Sequence, residues 1–528
     1  MSCATAHTIT LAGALGHLVD VEVDVSQGLV GTNLVGRPDT AINDARERCR
    51  SAISNIQLTW PATRRVTILL SPADLPKRGP QVDLAMAVGI LAATGQVPDL
   101  LLDETVFLGE LGLSGQLRPL PAALPMVMAA ARSGARRVVV PQPQWAEASL
   151  VPGVEVYGLR SLDQVVGWLR GEEVPDAAPV VARAGARLLQ WRGDDRLAHL
   201  DLADLEGMAE ERLAVEVAAA GGHHLLLKGP KGAGKTSLAE RLPGLLPDLT
   251  IAESLEVTAV RSLERALGPD AGLVTRPPFS APHHRSSLQS VLGGGTGVVR
   301  PGEISKAHCG VVLLDEFPLF ARDVLDALRQ PLESGEVTIA RGDEIATFPA
   351  QALFVLACNP CACGNYAADV GADRCSCSEQ VRREYRRRLD GPAIDRIDIT
   401  REVLPVKEGS IGAADDPPED TATVRERVAG ARLRQAERYA GCPWRLNAQV
   451  PAARLRDTWP LPDTGRDRLD EAVRAGTLTR RGAIRVHRLA WTLADLAGRP
   501  RPLPADVDVA VRLRTGEPLD SWMLRRAS

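Results

Sequence analysis

The run Gly229-Pro230-Lys231-Gly232-Ala233-Gly234-Lys235-Thr236 has the spacing G-x-x-x-x-G-K-[ST], whose chemistry is the capture of a triphosphate. Glycines let successive backbone N–H groups close around phosphate oxygens. Lys235 reaches the β and γ oxygens, and the Thr236 hydroxyl is a ligand for Mg2+. Further along, Asp315 and Glu316 end the apolar run Val311-Val312-Leu313-Leu314. There Asp315 would hold the Mg2+ shell and Glu316 would polarise the attacking water. A third apolar run, ALFVLAC, stops at Asn359, whose amide is suited to orient that water against the γ-phosphate. A strand-ending acid pair or a turn asparagine is common in isolation. The phosphate loop ahead of them gives them a shared task, hydrolysis of Mg2+-bound ATP.

A second constellation is sulfur. Residues 356–377 hold five of the nine cysteines. Cys361-x-Cys363 and Cys375-x-Cys377 supply four thiols with a spacing that can close a tetrahedral zinc site, although it differs from the commoner C-x2-C knuckle. A structural metal would pin the intervening GNYAADVGADR, which has too few apolar residues to make a core of its own. Free or redox thiols and plain core packing remain alternative readings. Cys358 reads as strand filler. His283 and His284 follow a proline in a loop, where they would touch nucleotide, line a pore or bond locally.

These groups need strands to carry them. HHLLLKG, GVVLLDE and ALFVLACNP are short apolar runs separated by helical stretches, the pattern of a parallel sheet covered by helices. The phosphate loop lies between the first of these strands and a helix starting near Ser237. Between the second and third, residues 336–348 alternate apolar and polar around Arg341-Gly342-Asp343, which predicts a β-hairpin with Arg341 at its tip, placed to touch a nucleic-acid backbone. Arg382-Arg383-Glu384-Tyr385-Arg386-Arg387-Arg388 reads either as a solvated helix face or as a further basic stripe.

The chain has 528 residues, too many for one core, and 24% of them are charged, with a net charge of −4. That balance excludes a uniformly basic coat but not a local basic stripe. Pro/Gly/acid-rich stretches suggest linkers at 171–195 and 406–420, dividing the chain into 1–170, 196–405 and 421–528. The first part alternates strand-like and Ala-rich helical runs, and the last is helical. No run approaches the roughly 18–20 apolar residues of a membrane span, and a cytoplasmic location with reduced thiols is expected. No membrane, haem or flavin partner is expected.

Several words of the sequence carry a resemblance: GGHHLLLKGPKGAGKTSLAERLPGLLP, PFSAPHHRSSLQSVLGGG, RPGEISKAHCGVVLLDE, LRQPLESGEVTIARGD, ACNPCACG and DGPAIDRIDI. Together they resemble the magnesium-chelatase-like AAA+ ATPases of the YifB/ComM family over essentially the whole chain. The resemblance implies a multidomain α/β fold with an AAA+ core, ATP held by residues 229–237 (Gly229 through Ser237), and Mg2+ on Thr236 and Asp315. It further implies Asn359 as sensor 1, Arg396 as an arginine finger acting on the neighbouring subunit's nucleotide, Arg481 as sensor 2, and hence a homo-hexameric ring. The alternative for Arg396 taken alone is a surface arginine paired with Asp395 or Asp398. Lys231 stands where the family more often has proline.

The first domain resembles the α+β Lon-protease-like domain through PKRGP at 76–80 and FLGELGLSGQLRPLPAALPMVMAAARSGARRVVVP. The places of the protease's serine and lysine hold Gln81 and Pro125, so no Ser–Lys dyad can form. Three functions compete. A DNA helicase or branch-migration translocase is what the ComM resemblance implies. A magnesium-chelatase motor subunit and a protein-remodelling ATPase are the alternatives.

Overall fold

The computed structural model describes residues 2–179, 197, 199–264, 272–295, 299–341, 344–366, 375–389, 393–404 and 418–527. Of the two expected linkers, 180–195 and 406–417 lie outside the described residues. Two sheets and a helical bundle organise the rest.

The N-terminal sheet has strands β1 (Ser2–Ala12), β2 (Leu15–Ser26), β3 (Gly31–Val35), β4 (Arg65–Ser71) and β5 (Thr105–Phe107), a small ladder of β6 (Glu110–Leu111) with β7 (Leu117–Arg118), then β8 (Arg137–Pro141) and β9 (Glu155–Leu159). The seven-stranded order is β3-β4-β2-β1-β5-β8-β9, antiparallel at β1–β2 and β2–β4 and parallel elsewhere. Val19, Val21, Val23 and Val25 of β2 are buried in strict alternation, the period-2 signal of one covered face. The helix Asp83–Ala93, buried on nearly every side, covers it.

The second sheet is all parallel, with the order β11-β14-β17-β10-β18 formed by β10 (Leu225–Lys228), β11 (Phe279–Ser280), β14 (Val311–Leu314), β17 (Leu353–Cys358) and β18 (Ile399–Glu402). Its inner strands β14 and β17 are continuously apolar because both faces are covered. Leu225, Leu227, Leu313 and Val355 join a core with helices Ala209–Gly221 and Lys235–Leu245 and the C-terminal helices. Leu226, Val312, Leu314 and Phe354 point the other way, to Phe317, Phe320 and Val324. A two-residue ladder pairs β12 (Gly293–Gly294) with β13 (Arg300–Pro301).

The expected hairpin is present: β15 (Glu336–Arg341) pairs antiparallel with β16 (Glu344–Pro349), Arg341 opposite Glu344. Residues 342–343 and the Arg341 side chain lie outside the described residues. The hairpin's base touches the first domain, where the Ala14 N–H at the β1–β2 turn donates to Thr347 O at 3.2 Å. Leu255 and Ala259 of helix Ile251–Ser262 also join the core built around helix Ala123–Arg132.

Residues 418–527 are helical, as the sequence predicts, with Thr421–Arg438 and Arg480–Leu496 packed on the second sheet's core. Among the described residues, no helix is long and apolar enough to cross a membrane.

Candidate nucleotide site and cysteine cluster

The site collects at the C-terminal ends of β10, β14 and β17, where an open parallel sheet leaves a crevice. Gly229 leaves β10 with its N–H donating to Cys358 O at 3.1 Å. A Cβ there would sit 2.0 Å from Val403 O, so only glycine fits between the strands. Gly232 and Gly234 adopt φ of +77° and +91°, the left-handed region glycine enters without strain, and Gly234 caps helix Lys235–Leu245. The N–H groups of that helix's first turn are a ready anion site.

Lys235 is buried. Its Nζ donates to Gly229 O and Pro230 O, both at 2.7 Å, and to Asn359 Oδ1 at 3.1 Å. Burial pulls its ammonium below the usual lysine range, with Asp315 opposing the shift. The Thr236 hydroxyl donates to Asp315 Oδ2 at 2.9 Å, which pairs the two expected Mg2+ ligands. Asp315 Oδ1 accepts the Glu316 N–H at 2.8 Å. Glu316 itself has φ +50°, a conformation costing a non-glycine residue about 1–3 kcal/mol, of the kind that clusters at functional sites. Lys235 is thus hydrogen-bonded to Asn359 and Thr236 to Asp315, with Glu316 next to Asp315. The set can bind a Mg2+-triphosphate and place a carboxylate beside its terminal phosphate.

One partner escaped the sequence reading. His284 Nδ1 lies 3.2 Å from Glu316 Oε2, and its ring is tilted by 32° against that of His283, with centroids 4.2 Å apart. His283 Nδ1 accepts the Arg285 N–H at 3.2 Å. A histidine pair in a Pro-containing loop leaves both local bonding and a site contact open. The structure assigns the first to His283 and the second to His284.

Arg396 has a partner outside its own turn. It donates to Glu333 on the helix Arg329–Ser334, while Asp398 takes Arg485. Arg481 is exposed in the first turn of Arg480–Leu496, with no hydrogen bond or ion pair among the described residues.

The four thiols do converge. Cys361 Sγ lies 3.3 Å from Cys363 Sγ and 3.6 Å from Cys375 Sγ, Cys363 Sγ lies 3.6 Å from Cys375 Sγ, and the Cys363 N–H donates to Cys377 Sγ at 3.3 Å. All four lie within 4.8 Å of one another. A tetrahedral zinc with Zn–S of about 2.3 Å demands sulfurs about 3.8 Å apart, whereas a disulfide needs about 2.05 Å. The donor set therefore fits a thiolate-bound cation. The Asn365 backbone N–H, then the Cys361 thiol, draw the Cys363 thiol down to about 5. Cys358 is buried strand filler, as expected, and burial pushes its thiol up to about 11.

Gln81, in the place of the protease's serine, is buried. Its amide Nε2 donates to Arg78 O at 2.6 Å and Ile9 O at 3.4 Å, and Pro125 lies buried inside helix Ala123–Arg132.

A phosphate loop, a strand-ending acid pair and an amide on the adjoining strand of one parallel sheet define a P-loop ATPase of the AAA+ type. Models of the magnesium chelatase subunit ChlI match residues 21–144 and 201–411, and a model of its C-terminal part matches 418–514. The chain belongs to this magnesium-chelatase-like family, and within it to the YifB/ComM group. It is 40% identical to the competence protein ComM of Haemophilus influenzae and 38% identical to YifB of Escherichia coli, each with 94% of both chains covered. An uncharacterised protein of Mycobacterium tuberculosis is 44% identical, with 97% of this chain and 99% of that one covered. Lon protease 2 of Bacillus subtilis is 25% identical over 167 residues, 29% of this chain and 30% of that one.

Proposed function

We propose that this protein is an ATP-driven homo-hexameric ring motor that moves along DNA, as a helicase or branch-migration translocase acting on recombination intermediates. Lys235 and residues 229–237 hold ATP, Thr236 and Asp315 the Mg2+, Glu316 activates water, and Asn359 orients it. Arg396 of one subunit reaches the neighbour's γ-phosphate, and Arg481 closes over the nucleotide from the lid. The four thiols hold a structural zinc, compatible with a cytoplasmic location where thiols stay reduced.

One observation carries the motor reading. The β15–β16 hairpin leaves the sheet between β14, which ends in Asp315-Glu316, and β17, which ends at Asn359. The hairpin follows the acid turn through the helices of residues 317–334 and leads directly into the start of β17, a route by which a change at the acid turn would reach it. Arg341 at its end would face the phosphates of a threaded strand, and six-fold repetition multiplies modest basicity per chain.

The test is the ATPase rate of purified protein with single-stranded, duplex and forked DNA at two salt concentrations. Stimulation that weakens with salt supports the reading. A rate left unchanged by all three would move it to a protein remodeller, and loss of tetrapyrrole synthesis in a deletion strain would move it to a chelatase motor.

A further inference from the structure

The cysteine cluster lies against the phosphate loop. Gly364, the residue after Cys363, is buried with φ +80°, and its N–H donates to Cys361 O at 3.0 Å to close a tight turn. Its carbonyl accepts the Lys231 N–H of the phosphate loop at 3.4 Å. A Cβ on Gly364 would lie 2.7 Å from Lys231 Cγ and 2.8 Å from its Cε. The lysine stem therefore lies directly on the turn that the thiols define.

The same segment grips the site at two further points. Cys361 follows Asn359 by two residues, and Asn359 accepts from Lys235 at 3.1 Å. Beyond Cys377, helix Glu379–Leu389 roots its one buried aromatic, Tyr385, against the Asn359 backbone, and Arg388 Nη1 donates to Pro318 O at 3.1 Å just past Glu316. Phosphate loop, amide and acid turn are thus each contacted by chain that the four sulfurs tie together.

We propose that a zinc-class cation on Cys361, Cys363, Cys375 and Cys377 pre-forms the phosphate loop through the Gly364–Lys231 contact, so that metal and ATP bind with positive coupling. The proposal rests on the zinc reading of the thiols. Without the metal, only the ten residues 365–374 of chain join the Cys361–Gly364 turn to Cys375 and Cys377, with no cross-link between the thiols. The loop must then be ordered at the expense of nucleotide affinity. Linkage makes the effect reciprocal: nucleotide tightens the metal by the same factor that metal tightens nucleotide.

The experiment uses the full chain and three readouts: zinc per chain by elemental analysis, the Kd of a fluorescent ATP analogue with Mg2+, and zinc affinity by chelator competition with and without that analogue. The wild type should carry one zinc and hold it about ten-fold more tightly with nucleotide, within the range usual for coupled sites. Cys377→Ser should lose the zinc and bind nucleotide about ten-fold more weakly. Gly364→Ala should keep all four zinc ligands but weaken nucleotide, because its methyl strains the left-handed turn and displaces the Lys231 stem. This second variant separates coupling from a failure to fold. A wild type without zinc overturns the thiol reading and the coupling with it. Zinc that is present, with nucleotide affinity unchanged in both variants and metal affinity blind to nucleotide, overturns the coupling alone.

Discussion

Lys235 holds three acceptors at hydrogen-bond distance, and only a cation of that reach can replace them with phosphate oxygens. Lys235→Ala should therefore abolish both nucleotide binding and turnover, measured by analogue fluorescence and phosphate release. Glu316→Gln keeps the size and hydrogen-bonding of the side chain but removes the base. It should retain binding and lower turnover by about 10²–10⁴-fold, the usual weight of general-base catalysis. Full turnover in that variant would move the base elsewhere in the site. Gly229 is a steric case. Its missing Cβ leaves room for Val403 O, and Gly229→Ala should disrupt the loop without touching any charged group.

At the scale of elements, the joint between the second sheet and the lid is ionic. Asp398, fully enclosed ahead of β18, accepts the His224 N–H at 3.0 Å and pairs with Arg485 of helix Arg480–Leu496. Burial opposes its ionisation, yet Arg485 and the adjoining His223 and His224 overcome that and hold the carboxyl well below the usual aspartate range. Asp398→Asn leaves Arg485 facing a neutral amide and should cost about 3 kcal/mol, read from urea unfolding. His224 gives the joint its pH dependence. Its Nδ1 accepts the Phe354 N–H at 3.2 Å, and burial pushes the imidazole down to about 4. Between pH 6.5 and 4 the unfolded chain takes up a proton that the folded one refuses, so stability should fall as pH drops through that window. Thermal melts should show this, and His224→Gln should flatten the slope.

At the scale of the whole molecule, Arg396 decides whether the site is shared. Within one chain it is held by Glu333, so its action on a phosphate requires exchange of that carboxylate for the neighbour's nucleotide. Arg396→Ala should abolish turnover while leaving nucleotide affinity close to wild type. Sedimentation with nucleotide should show a hexamer. A monomer that hydrolyses at full rate would refute the ring.

The sequence by itself determined what local patterns can encode. The phosphate loop, the acid pair, Asn359 and the hairpin are short runs whose period and end residues dictate a strand, a turn or a glycine, independent of what packs against them. The helical C-terminal part was legible for the same reason. Tertiary structure alone decided that His284 meets Glu316, that Glu333 takes Arg396, and that Gly364 lies on Lys231. Each joins residues far apart in the chain, and only the way the strands and loops pack fixes such pairs. The sulfur spacing announced a possible metal. Its place against the nucleotide loop followed from β10 and β17 being neighbours in one sheet.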